Sequence, residues 1–260
     1  IYYWNGATWL QMGQDIDGEA NYDQSGQAIS MNAAGNLVAI GAVNNNPGGH
    51  VRVYSWDGSG WLQQGQDIDG EASNDFFGNA VSLNNSGNRL AVGGYNNDGN
   101  GSNSGHVRIY YWSGSTWLQM GQDIDGENAG DLSGWSLSLN GAGDHVVIGA
   151  NGNDGNGSSS GHARIYYWNG ATWLQMGQDI DGEASNDDSG FSVAINDAGN
   201  RIAIGARLND GNGSSSGHVR IYYWNGSTWL QEGQDIDGEA SGDYFGCSVS
   251  MSSSGNRIAI

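Results

Sequence analysis

One stretch, IYYWNGATWLQMGQDIDGE at Ile165 to Glu183, occurs five times with few changes, beginning at Ile1, Val53, Ile109, Ile165 and Ile221. The starts are 52, 56, 56 and 56 residues apart. Self-similarity at such a period marks an array of one supersecondary unit, each copy burying its apolar face against the next. Residues 1–260 are therefore read as one domain of five repeats. The 46 glycines and single proline suit many short strands joined by tight turns. The chain opens on Ile1, inside a repeat, which is expected of a piece of something longer.

The third repeat predicts four strands: His106 to Trp112, Thr116 to Ile124, Trp135 to Leu139 and His145 to Ile148. In the first, Val107, Ile109 and Tyr111 alternate with His106, Arg108, Tyr110 and Trp112, the period of a strand engaged on both faces. The third alternates large with very small residues, as Val81 and Leu83 do with Ala80 and Ser82, which suits an innermost strand where blades converge. The fourth, as at Ile202 to Ile204, is apolar throughout and reads as buried on both faces. Asn5-Gly6, Asp57-Gly58, Ser113-Gly114, Asn169-Gly170 and Asn225-Gly226 are hairpin signals, because Asn and Gly tolerate positive φ.

Calling the small-residue strand A, the chain runs C, D, four complete A-to-D sets, then A, B. This predicts an all-β, five-bladed β-propeller of four-stranded antiparallel blades, one blade closed by pairing the N-terminal C and D strands with the C-terminal A and B strands. Strand direction puts the D-to-A and B-to-C connections on one rim, where binding is expected.

These residues resemble FG-GAP repeats, the blade units of integrin-α-type propellers. Phe77-Gly78 and Phe245-Gly246 open strand A, Gly41-Ala42, Gly149-Ala150 and Gly205-Ala206 follow strand B, and Gly105-His106-Val107 leads to Ile109-Tyr110. The resemblance implies a propeller, usually of seven blades, with a role in adhesion or recognition. Ser25, Ser133 and Ser189 stand where the family has Phe. Segments such as Asn32 to Asn36 hold one carboxylate at most where the family's calcium loop lies, so that metal site is not carried over.

The D-to-A connection is strongly acidic. Its carboxylates are Asp15, Asp17, Glu19 and Asp23; Asp67, Asp69, Glu71 and Asp75; Asp123, Asp125, Glu127 and Asp131; Asp179, Asp181, Glu183 and Asp187; and Asp235, Asp237, Glu239 and Asp243. They hold most of the chain's negative charge, and two readings compete for them: a structural turn with solvated charge, or a calcium site, since clustered hard oxygens attract that ion. No cofactor is required on the first reading. His50, His106, His162 and His218 all begin strand C, and equal positions on successive blades keep them apart, so they are expected to be structural rather than zinc ligands.

Each C-to-D hairpin pairs two tryptophans: Trp4 and Trp9, Trp56 and Trp61, Trp112 and Trp117, Trp168 and Trp173, Trp224 and Trp229. Their rings either staple the hairpin or stack on sugars, giving avidity for a glycan-coated surface. Asn84, Asn100, Asn156, Asn212 and Asn225 are glycosylation acceptors by sequence. Cys247 is the single cysteine, so no intrachain disulfide forms; a buried, inert thiol is expected.

Net charge is −20 and all eight basic residues are arginine, which disfavours nucleic acid and anionic membrane surfaces. No segment is long and apolar enough for membrane insertion. Identical groups repeated five times supply no asymmetric acid, base and nucleophile, so the chain is expected not to be an enzyme. The leading expectation is an extracellular or cell-surface recognition module for glycans or surface proteins. The alternative is a structural repeat domain of a larger fibre or adhesin, stabilised by calcium or glycosylation.

Overall fold

The computed structural model describes residues 1–260, and every regular element is a strand. The first complete blade contains Ser25–Met31, Leu37–Ala42, His50–Trp56 and Trp61–Gln63, hydrogen-bonded in that order as A, B, C and D. Three further blades follow, with C strands at His106–Trp112, His162–Trp168 and His218–Trp224. Each hairpin turn is tied by its first residue, as where Asn169 Oδ1 accepts the amides of Ala171 and Thr172.

The D strand is shorter than the sequence predicts. In the third repeat it spans only Trp117–Gln119, and the chain then turns at Gly121 (φ +82°) and returns as a two-residue strand, Ile124–Asp125. That return strand pairs with the start of strand C, not its end, with His106 opposite Asp125 and Val107 opposite Ile124. The other three complete blades repeat this fifth strand.

The terminal strands form two separate hairpins. Tyr2–Trp4 pairs only with Trp9–Gln11, and Ser250–Met251 only with Ile258–Ala259. The closing pairing expected between the two chain ends is therefore not formed: four complete blades stand between two half-blades. Cys247, expected to be buried, is exposed.

The core lies between blades rather than inside them. Ala91, Val107 and Ile109 of one blade pack against Leu137, Val146, Ile148 and Trp173 of the next, and all are buried. Small A-strand residues allow close approach near the axis: Ser82 Oγ accepts the Leu139 amide at 3.0 Å, and Ser136 Oγ donates to the Gly190 carbonyl at 2.7 Å. Gly149, within strand B (His145–Ala150), abuts that same carbonyl, which an added Cβ would meet at 2.0 Å. The B-to-C and D-to-A loops share one rim, zipped by bonds such as Ser133 N–H to Ser104 O at 2.9 Å.

Candidate functional site

The fifth strand places a carboxylate beside each histidine. As Ile124–Asp125 runs back along strand C, Asp123 comes to lie with Oδ2 3.8 Å from His106 Nδ1. Blade stacking delivers a second carboxylate from the preceding acidic loop. The result is four equivalent clusters whose donor atoms lie within 4.8 Å of one another: Glu19, His50 and Asp67; Glu71, His106 and Asp123; Glu127, His162 and Asp179; Glu183, His218 and Asp235. Such clusters can hold a metal ion. The histidines are indeed apart from one another, but each converges with carboxylates from two repeats, a meeting that comparison of the four equal positions misses. The signal available was a constant Asp 17 residues after each histidine.

All four imidazoles are buried. Burial, reinforced by the neighbouring arginine, pushes His106 and His218 below their ordinary value and His162 to about 4, so these rings are neutral at pH 7. Gln63, Gln119, Gln175 and Gln231 each donate to the Asp of their own cluster and fix its orientation. Strand C adds an arginine two residues after each histidine. Arg52, Arg164 and Arg220 approach Glu19, Glu127 and Glu183 at 3.6, 3.4 and 3.6 Å, and each donates to a main-chain carbonyl of the preceding acidic loop. Arg108 differs, binding both oxygens of Asp123 (3.0 and 2.8 Å) and contacting Glu71. It holds Asp123 below the usual carboxylate range against the opposing effect of desolvation. Desolvation and adjacent carboxylates raise Asp125, Asp181 and Glu127.

The remaining acidic-loop positions divide by location. Asp23, Asp75, Asp131 and Asp187 are buried and accept main-chain amides of their own turn, as Asp75 does from Ala72 at 3.0 Å; Asp243 makes the same bond while exposed. They are turn caps. Asp69, Asp125, Asp181 and Asp237 lie on the return strands, and Asp17 occupies the matching position in the first repeat. Asp15 is bonded to Gln11, and neither Asp15 nor Glu239 has a histidine beside it, so five loops give four clusters.

Trp61, Trp117, Trp173 and Trp229 are each 2% exposed. Their indole N–H groups donate to the carbonyls of Met12, Gln64, Met120 and Met176, at 2.8, 3.0, 2.8 and 2.7 Å, in the preceding repeat. Their partners Trp56, Trp112, Trp168 and Trp224 are half-buried over Gly13, Gly65, Gly121 and Gly177, also in the preceding repeat. The pairs thus lock one blade to another, and the four buried rings offer no face for a sugar. Trp4 and Trp9, in the first hairpin, are exposed.

Asn84 is buried, its amide bonded to Ser86, Asn88 and the Ala142 carbonyl, so it is inaccessible to glycosylation. Mass spectrometry of the chain secreted from eukaryotic cells is expected to find Asn84 unmodified. Asn100, Asn156 and Asn212 are exposed, yet their amides donate to carbonyls of the adjacent acidic loop. Asn225 caps its hairpin through Oδ1.

A feature absent from the repeat pattern lies at the axial end of the loop rim. Phe76 stacks on Tyr95 (5.3 Å between ring centres), Tyr95 meets Trp135 edge-on (4.8 Å), Trp135 meets Phe191 (5.5 Å), and Arg207 lies 3.8 Å over Phe191. All five side chains are half-buried. Beyond them, between acidic and Asn-rich loops, open a cleft of about 450 Å³ lined by Glu71, Asp75, Asn97 and Asp98, and one of about 370 Å³ lined by Glu127, Asn153, Asp154 and His162.

Residues 68–110 match the FG-GAP repeat. The FG-GAP match runs from a return strand through A and B to the middle of strand C. No curated protein matches the chain in sequence. Among solved structures, the hydrazine synthase of Kuenenia stuttgartiensis is similar with TM-score 0.55 and 11% identity, over 87% of this chain and 53% of its own. The periplasmic gluconolactonase of Pseudomonas aeruginosa gives TM-score 0.58 and 14% identity, over 91% and 63%. A protein assigned as a 6-phosphogluconolactonase from Bacteroides uniformis gives 0.53 and 10%, over 90% and 76%. The chain thus spans between half and two-thirds of the first two. At these identities the likeness shows the fold alone. It nevertheless corrects the expectation that the chain is not an enzyme: proteins named as lactonases share this scaffold, so repetition of its blades is no argument against catalysis.

Proposed function

We propose that this chain is an extracellular recognition module that binds a surface glycan at the axial end of its loop rim. The aromatic row of Phe76, Tyr95, Trp135 and Phe191 carries the reading. Gln27, Asn79 and Cys247 occupy the positions equivalent to Trp135 and Phe191 in the other repeats, so the scaffold does not require rings there. Partly exposed aromatic rings pack against sugar rings, and the flanking carboxylates and asparagine amides suit hydroxyl groups. A net charge of −20 favours neutral over anionic glycans. The extracellular setting is supported by the FG-GAP match; no helix is long and apolar enough to cross a membrane.

A glycan array read in calcium and again in chelator tests this. A hit is expected, weakened about tenfold by Trp135→Ala and by Phe191→Ala, with melting temperatures checked alongside. Silence in both buffers, or hits indifferent to both substitutions, would overturn the reading and leave a structural repeat of a larger surface assembly.

A further inference from the structure

We propose that the four Glu–His–Asp clusters between blades are binding sites for a divalent transition metal of the zinc and manganese class, one ion per cluster. The proposal does not rest on the glycan reading. His50 Nδ1 lies 3.8 Å from Glu19 Oε2 and 3.9 Å from Asp67 Oδ2; His218 Nδ1 lies 3.8 Å from Glu183 Oε2 and 3.7 Å from Asp235 Oδ2. These gaps are too long for hydrogen bonds; donors roughly 2.1 Å from one tetrahedral ion stand about 3.4 Å apart, so the side chains need close by only a few tenths of an ångström to seat an ion.

The second observation is independent of the carboxylates. His106 is 0% exposed and His218 1% exposed, and in both rings Nδ1, the atom facing the cluster, has no hydrogen-bond partner. A buried nitrogen left unpaired costs free energy, and a metal ion at that point removes the cost. Burial also keeps these rings in the neutral, metal-binding form.

The surrounding residues match a ligand shell. Arg52 and Arg220 approach Oε1 of Glu19 and Glu183, while Oε2 faces the imidazole and accepts from Asn45 at 3.3 Å and Asn209 at 3.5 Å. Gln63 and Gln231 hold Oδ1 of Asp67 and Asp235, leaving Oδ2 turned the same way. Such outer partners orient metal ligands. One imidazole with two carboxylates favours zinc or manganese over calcium, which takes oxygen alone. Arg108 occupies both oxygens of Asp123, so the His106 site is the weakest of the four.

Chelator-treated protein titrated with Zn²⁺ in a calorimeter, without sugar, tests the assignment. Saturable uptake of three strong ions and one weaker is expected, with Ca²⁺ binding at least about tenfold more weakly. His218→Gln and, as a milder change at a partly exposed ligand, Asp179→Asn are each expected to remove one strong site; Mn²⁺ read by electron paramagnetic resonance gives the same count. Absence of saturable Zn²⁺ uptake, a stoichiometry unmoved by Asp179→Asn, or Ca²⁺ binding as tightly as Zn²⁺ would overturn the proposal.

Discussion

Trp173→Ala is expected to lower the free energy of unfolding by roughly 3–5 kcal/mol, whereas Trp9→Ala, in a near-identical hairpin, is expected to cost under about 1 kcal/mol. Both tryptophans pair with the other indole of their hairpin at similar distances, 5.5 and 5.7 Å. Only Trp173 is locked to a neighbour. It is 2% exposed, packed in the core shared with Ile109, Ile124 and Val146, and bonded to the Met120 carbonyl; Trp9 is 68% exposed. Gln122 grips the same residue by accepting from its main-chain N–H and donating to its carbonyl. Removing the ring leaves a cavity between blades and an unpaired buried carbonyl. Urea denaturation followed by circular dichroism measures both variants. Equal losses would mean that the energy of the pair lies within the hairpin and not between repeats.

Stability is expected to fall as pH drops below about 6.5, the ordinary histidine value in the unfolded chain. The sign follows from burial: His106, His162 and His218 are depressed in the folded state, so below that pH the unfolded chain binds more protons and gains. Their contribution is complete above pH 6.5 and is lost as pH falls toward the folded values. For His162, held near 4, it is about 3 kcal/mol. The groups facing His162 are Arg164, which deepens the depression, and Glu127, Asp131, Asp179 and Asp181, the last at 4.0 Å. The raised Asp125, Asp181 and Glu127 act oppositely, protonating more readily when folded, so they offset part of the loss at the acid end. Thermal melts in chelator from pH 8 to 4.5 should show the decline, and His162→Gln should flatten it. A level profile in the parent chain would contradict buried neutral imidazoles.

The sequence was most informative where structure is local. The period, the hairpin turns and the small-and-large alternation of strand A all reappear, because turn chemistry and strand pleat act over a few residues. Thr116 to Ile124 is two strands rather than the one expected, and at the turn between them the Trp168 ring of the next repeat occupies the space above Gly121. The histidine clusters show in the sequence only as a constant His-to-Asp spacing, for a related reason. Glu71 and Asp123 are remote in sequence and meet at His106 only once two blades have stacked. The aromatic row was hidden in the opposite way: repeats draw the eye to what is constant, and Trp135 and Phe191 are not.

The indole lock carries one further implication. Every buried indole N–H is received by main chain, so it is indifferent to whether residue 12, 64, 120 or 176 is Met or, as at 64, Gln. A joint that reads peptide carbonyls, with a glycine and a glutamine that recur in every repeat, accepts any copy of the unit beside any other. Gene duplication, loss or shuffling of whole repeats can therefore lengthen or shorten such an array with no compensating change at the seam, leaving the loop rim free to diversify.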